Sequence, residues 1–145
     1  MNRKEKLTHI AIRYLGRPYK YGAKSAEAPN FFDCSSFVQY IYKKIDINLP
    51  RASLEQAHYG RKINFKKQKI EVGDLMFFKG TVGRYNPEFP QGIGHVAMYI
   101  GNNKIIQAKY QKNKDGSDGG QVQIDKAEKL LRRKDLVVIK RMILK

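Results

Sequence analysis

The sequence predicts an α+β fold, with helices first and a mostly antiparallel sheet of about five to six strands after them. Three observations predict it. Apolar residues in the first half recur at the 3.6-residue helical period. From Gly73 onward the pattern changes to short apolar runs bounded by glycine. Gly101-Asn102-Asn103 then separates two such runs as a hairpin signal.

The elements follow in order. Arg3 to Leu15 carries Leu7, Ile10, Ala11, Tyr14 and Leu15 on one helix face, with Gly16 and Pro18 as the stop. Tyr19-Lys20-Tyr21-Gly22 is extended or turning, and residues 23–32 form a loop with Pro29 and Asn30. Asp33 and Ser35 are good N-cap residues, and Phe37, Val38, Ile41, Tyr42 and Ile45 make the buried face of the helix that follows. Ser53 is placed to cap a short helix through Tyr59, closed by Gly60. Residues 61–69 are lysine-rich and read as a solvated surface. Strands are predicted over 74–78, 95–100, 104–108, 121–124 and 136–144, with a short helix at 126–133. Residues 79–94 form a loop of unusual length, and residues 109–120, polar and glycine-rich, read as a mobile loop.

The chain has 145 residues, the size of a single domain spanning 1–145. A hydrophobic content of 41%, with nine Tyr and seven Phe, excludes a disordered chain. One cysteine excludes a disulfide framework, and three scattered histidines beside it give no metal-ligand spacing, so neither a metal nor another cofactor is expected. No apolar run approaches the ~18–20 residues of a membrane span. The basic start Met1-Asn2-Arg3-Lys4-Glu5-Lys6 is followed by no apolar signal core, which leaves a cytoplasmic protein, another export route, or a leader or larger chain cut away. The net charge is +16 and is spread along the chain, which draws the surface to polyanions such as nucleic acid or an anionic cell wall.

The chemistry centres on Cys34, the only cysteine, at the first turn of a buried helix. Unpaired backbone N–H groups and the positive helix end lower a thiol pKa there and favour the reactive thiolate. A nucleophilic thiol needs a base and a group to orient it. His9 lies on the first helix and reads as a surface residue, and His58 sits beside Gly60 as a last-turn cation. His95 opens an apolar strand after the glycine-rich loop, where catalytic side chains tend to sit. A three-residue turn over Gly101–Asn103 would pair Ile100 with Lys104 and Ala97 with Gln107, placing Gln107 diagonally beside His95 on one face. A two-residue turn without a bulge would put Gln107 on the opposite face. Oxyanion donors are the Cys34 backbone N–H and, as a second candidate, the Tyr21 hydroxyl.

Five motifs in order resemble the NlpC family of bacterial cell-wall cysteine peptidases. They are Tyr19-Lys20-Tyr21-Gly22, Phe32-Asp33-Cys34-Ser35-Ser36-Phe37-Val38, Leu49-Pro50-Arg51-Ala52-Ser53 with Gln56 and Gly60, Val72-Gly73-Asp74-Leu75-Met76-Phe77-Phe78, and His95 to Gly101 with Ile105-Ile106-Gln107-Ala108. The resemblance implies a papain-like fold and a thiol peptidase acting on peptidoglycan stem peptides, commonly between D-γ-glutamyl and diaminopimelyl or lysyl residues. It implies Cys34 as nucleophile, His95 as base, Gln107 as the orienting residue and Tyr21 as a lining and oxyanion residue. Asp33, Ser35, Arg51 and Ser53 match positions around the pocket for the stem peptide. Ser36 departs from the usual glycine after Asp-Cys-Ser, which would narrow the groove, and the 79–94 loop is longer than usual.

On this reading the site of action is the cell wall or periplasm, and anionic wall polymers suit the charge. An amidase, an acyltransferase or a toxin would use the same residues, because the pocket decides which acyl bond is cut. A nucleic-acid-binding module is not expected. The chain has neither a basic helix with base-reading side chains nor an aromatic RNA signature, and that reading leaves Cys34, His95 and Gln107 unexplained.

Overall fold

Asn2 begins the first helix by accepting the Glu5 N–H on its side-chain oxygen at 2.9 Å. Helix α1 (Arg3–Ile12) buries Leu7, Ile10 and Ala11, and the chain turns out of it at Gly16, which has φ +87°. After a 3-10 turn at Ser25–Glu27 come α2 (Cys34–Lys43), α3 (Ser53–Gln56) and β1 (Arg61–Ile63). The rest is β2 (Leu75–Phe78), β3 (His95–Gly101), β4 (Lys104–Lys112), β5 (Asp118–Lys126), α4 (Ala127–Leu131) and β6 (Leu136–Arg141). This computed structural model describes residues 1–144.

The strands form one six-stranded sheet in the order β1-β6-β2-β3-β4-β5, with every pairing antiparallel. The side-chain period of two divides it into two apolar layers. Phe77, Val96, Met98 and Ile106 pack with Phe37, Val38 and Ile41 of α2 and Leu7 of α1. Met76, Phe78, Ala97, Ile105 and Ile139 pack on the other face with Ala127 and Leu130 of α4. The central strand β2 is buried on both faces, hence its unbroken Leu-Met-Phe-Phe run. The expected α+β architecture, helices on an antiparallel sheet of five to six strands, is present.

Three local readings change. Residues 61–63 join the sheet as an edge strand, because Ile63 is buried against its partner Ile139 while Arg61 and Lys62 stay exposed. The short helix begins at Ser53 with Ala52 as N-cap, so Ser53 does not cap it. The expected mobile loop at 109–120 is the far end of a long hairpin, since β4 reaches Lys112 and β5 begins at Asp118. One of its glycines, Gly120, serves close approach of the two strands. A Cβ on Gly120, at φ +104°, would lie 2.0 Å from the Lys109 carbonyl oxygen.

Candidate active site

Helix α2 starts at the cysteine because Asp33 caps it in both directions. Asp33 Oδ1 accepts the Ser36 N–H at 2.9 Å, and Ser36 Oγ accepts the Asp33 N–H at 2.9 Å. Ser36 therefore closes a capping box at the start of this helix. It is buried, and it borders a cavity of about 570 Å³ with Gln39, Tyr40 and Lys43 on a flank of α2, a cavity that none of Cys34, His95 and Gln107 lines.

Cys34 occupies the first helical position and is 6% exposed. Burial pushes its thiol up to about 11, opposed by the backbone N–H groups of Val96 and Ser35. The sequence reading expected a lowered pKa at this helix start. Desolvation outweighs the N–H groups because the thiol is covered on all sides, which favours the neutral form. The Val96 contact sets the thiol against the residue that follows His95.

His95 is held at the start of β3 by the neck of the 79–94 loop. There the backbones of Gly80 and Gly94 touch, and a Cβ on Gly80 would lie 2.3 Å from Gly94 Cα. The Gly94 N–H then donates to the Phe78 carbonyl at 2.9 Å, bringing His95 into register opposite Phe78. At the loop's outer end Asn86 Nδ2 and Glu88 hold His58, whose ring packs on Phe89, so His58 anchors the loop to the end of α3.

The β3–β4 turn is built differently from the three-residue turn expected. Asn102 and Asn103, both at positive φ, make a two-residue turn, and the register shifts between Tyr99 and Gly101. The bulge takes up the same residue that a longer turn would have used, so Met98 still faces Ile106 and Gln107 still arrives on the face of His95. His95 Nε2 donates to Gln107 Oε1 at 2.7 Å. Burial lowers the His95 pKa, the Gln107 bond opposes this, and Arg133 and Lys109 lower it further. Gln107 is 2% exposed, and its Nε2 donates to Asp125 Oδ2 at 2.8 Å.

On the other side of the thiol, Arg51 donates from Nη2 to Asp33 Oδ2 at 2.7 Å and from Nη1 to Ser35 Oγ at 2.8 Å. It also reaches the Ala23 carbonyl at 2.5 Å. Asp33 thus caps α2 with one oxygen and binds Arg51 with the other. Gln56 ties α3 to this cluster by donating to the Ser35 and Pro50 carbonyls at 3.0 and 2.8 Å. Among the described residues, Ser53 makes no side-chain hydrogen bond to this cluster.

Tyr21 is 86% exposed. Tyr19 is half-buried instead, pinned by bridges from Pro18 to Gln121 and from Tyr19 to Phe32, and packed edge-on to Tyr110. Burial raises its phenol pKa, and nearby Cys34 and Asp33 push it the same way. The tyrosine beside the thiol is therefore Tyr19, a correction to the choice of Tyr21. The turn at Tyr21-Gly22, with Gly22 at φ +67°, directs the second tyrosine to solvent. Sequence reasoning also missed Gln123 and Asp125. The alternation Gln121-Val122-Gln123-Ile124-Asp125 was the signal that could have put these polar side chains on one face.

The structure thus brings together a buried thiol at a helix start, the Val96 backbone N–H against it, and the preceding strand-opening histidine with a glutamine behind it. Residues 16–140 match the NlpC/P60 family. The chain belongs to that family. Among similar NlpC/P60 relatives, the bifunctional muramidase/DL-endopeptidase CwlT of Bacillus subtilis is 37% identical over 98 residues, covering 68% of this chain and 27% of that protein. The murein DD-endopeptidase MepH of Escherichia coli is 35% identical over 109 residues, covering 72% of this chain and 37% of that protein. The chain thus spans about a quarter of the one and about a third of the other. The solved structure of NlpC1 from Trichomonas vaginalis superposes with a TM-score of 0.74 at 25% identity, covering 97% of this chain and 44% of that one.

Proposed function

We propose that this chain is a cysteine endopeptidase that hydrolyses peptidoglycan stem peptides, at the D-γ-glutamyl–diaminopimelate (or –lysine) bond, through Cys34, His95 and Gln107. The observation that carries this reading is the 2.7 Å bond from His95 to Gln107, directly beside the Val96 N–H that faces the thiol. With Nε2 bound to Gln107, His95 has Nδ1 left as base. Nδ1 takes the thiol proton as sulfur attacks the glutamyl γ-carbonyl carbon. The carbonyl oxygen gains charge, which the Cys34 backbone N–H and the Tyr19 hydroxyl stabilise. His95 then returns the proton to the leaving amine, giving a thioester on Cys34. Water, deprotonated by His95, attacks that thioester, releases the carboxylate and restores the thiol. Asp33, Ser35 and Arg51, hydrogen-bonded to one another next to Cys34, and Ser53 are assigned to binding the stem peptide. The relatives' names support a peptidoglycan substrate, and the site of action is the cell wall or periplasm.

The test is a digest of purified peptidoglycan and of its stem-peptide fragments by wild type and Cys34→Ala, with products identified by mass spectrometry. Fragments ending in D-glutamate, formed by wild type and not by the variant, are expected. Cleavage at the cross-link between stems would move the assignment to a DD-endopeptidase. Cleavage at the muramoyl–alanine bond would move it to an amidase. No cleavage by folded wild type would overturn the enzymatic reading.

A further inference from the structure

The Gln107 side chain has two ends of nearly equal size. Its oxygen accepts from an imidazole N–H, whereas its NH₂ would donate to a bare ring nitrogen and select the opposite tautomer. Nothing on the His95 side alone decides which end faces the ring. The far side does. Gln107 Nε2 donates to Asp125 Oδ2 at 2.8 Å, and the same oxygen receives Gln123 Nε2 at 2.8 Å. An ionised carboxylate only accepts, so a flipped amide would set its oxygen against the Asp125 charge and lose the bond to it, while the ring side could be satisfied by either tautomer. The β4–β5 register produces this arrangement. Gln107 pairs with Gln123 and Ile105 with Asp125, which sets Asp125 diagonally from Gln107 on one face.

We propose that Asp125 is a positioning residue of this site: its carboxylate orients the Gln107 amide, which fixes His95 as the Nε2–H tautomer and leaves Nδ1 free to take the Cys34 proton. The proposal rests on the catalytic reading of Cys34, His95 and Gln107. The carboxylate also polarises the amide toward the ring and so favours the imidazolium that forms. It acts there with Asp135 and against Arg133 and Lys109, the charged groups around His95. A neutral glutamine thereby receives, through one intervening bond, part of the charge support that a carboxylate in its place would supply directly.

The test reads ¹⁵N shifts and couplings of the His95 ring nitrogens in the free protein, at a pH where the ring is neutral, together with kcat and KM on a stem-peptide fragment. Wild type, Asp125→Asn and the double variant Gln107→Glu/Asp125→Asn are compared. Wild type is expected to show Nε2–H alone. Asp125→Asn, able to present either amide end, is expected to show both tautomers. Its kcat is expected to fall on the order of 10-fold with little change in KM, well short of the ~10⁴-fold lost when a triad histidine is held in the wrong tautomer. In the double variant the carboxylate at position 107 offers an acceptor in either orientation, so Nε2–H and most of the lost rate are expected to return. A merely structural role for Asp125 would not give that recovery. An Nδ1–H wild type overturns the proposal even if no variant folds, as does an Asp125→Asn protein with one Nε2–H tautomer and unchanged kcat. The tautomer measurement needs no substrate, so it judges Asp125 separately from any failure of the endopeptidase reading.

Discussion

At the residue scale, Cys34 and His95 are both pushed toward their neutral forms by burial. On the proposed mechanism the resting pair is then a thiol and a neutral imidazole, and proton transfer would accompany attack on the substrate instead of preceding it. The sign of the pH effect follows. His95 must be unprotonated to act as base, and its lowered pKa moves the acid limb of kcat/KM below the ordinary histidine value of about 6.5. Activity measured against pH, beside the His95 C2–H shift titrated by NMR, checks this, and an acid limb above that value would contradict it. The same shift is linked to stability. The unfolded chain binds the His95 proton first, so the folded state loses stability as pH falls below about 6.5. Much of this site was legible as residue types. Cys34, His95 and Gln107 each stand out by position next to a cap, a loop or a turn. Tyr19 and Asp125 did not, because tyrosine is common here and one aspartate on a polar strand resembles any other until its cross-strand neighbour is known.

At the element scale, the end of the chain is tied to the start of the sheet by a buried ion pair. Arg141 on β6 grips Asp74 with two bonds of 2.9 Å, and Asp74 is fully buried. Glu71 joins from the same loop, linking Arg141 to Lys4 of α1. The Val72-Gly73-Asp74-Leu75 motif thus contributes structure, and it lies at the end of β2 opposite to the one that pairs with His95. Asp74→Ala removes the buried partner of the Arg141 guanidinium, leaving only the more exposed Glu71, and is expected to cost up to about 3 kcal/mol. Urea unfolding would show a lower midpoint at unchanged slope. Asp74→Ala with Arg141→Met, which removes both charges, is expected to regain part of the loss. A single variant as stable as wild type would show that the pair contributes nothing.

At the scale of the whole molecule, the charge of +16 has no single focus. Residues 1–72 carry 15 basic and 6 acidic side chains, and residues 73–145 carry 14 and 7. Such a surface would attract a polyanion over a broad area, and on the proposed function an anionic wall polymer is that partner, held by an attraction that salt screens. Retention on purified wall material by Cys34→Ala is expected to fall steeply between about 0.01 and 1 M salt, as the Debye length shrinks from about 30 Å to about 3 Å. Retention indifferent to salt would assign the binding to the peptide pocket. No helix among the described residues is long and apolar enough to cross a membrane.

Local sequence rules suffice for the α+β order, the helix start at Cys34 and the strand start at His95, and they make the face of Gln107 conditional on the β3–β4 turn. These follow from local rules of capping, periodicity and side-chain alternation, which act over a few residues. The tertiary structure alone decided the rest. It extended β4 and β5 through a segment with loop-like composition, with Gly120 lying where a Cβ would meet the backbone of the facing strand. It chose Tyr19 over Tyr21, closed the hairpin with a bulge, set burial above the helix start in governing the thiol, and placed Asp125 behind Gln107. Each of these depends on what lies across the core from a residue, and that partner is tens of positions away in the chain or on another strand.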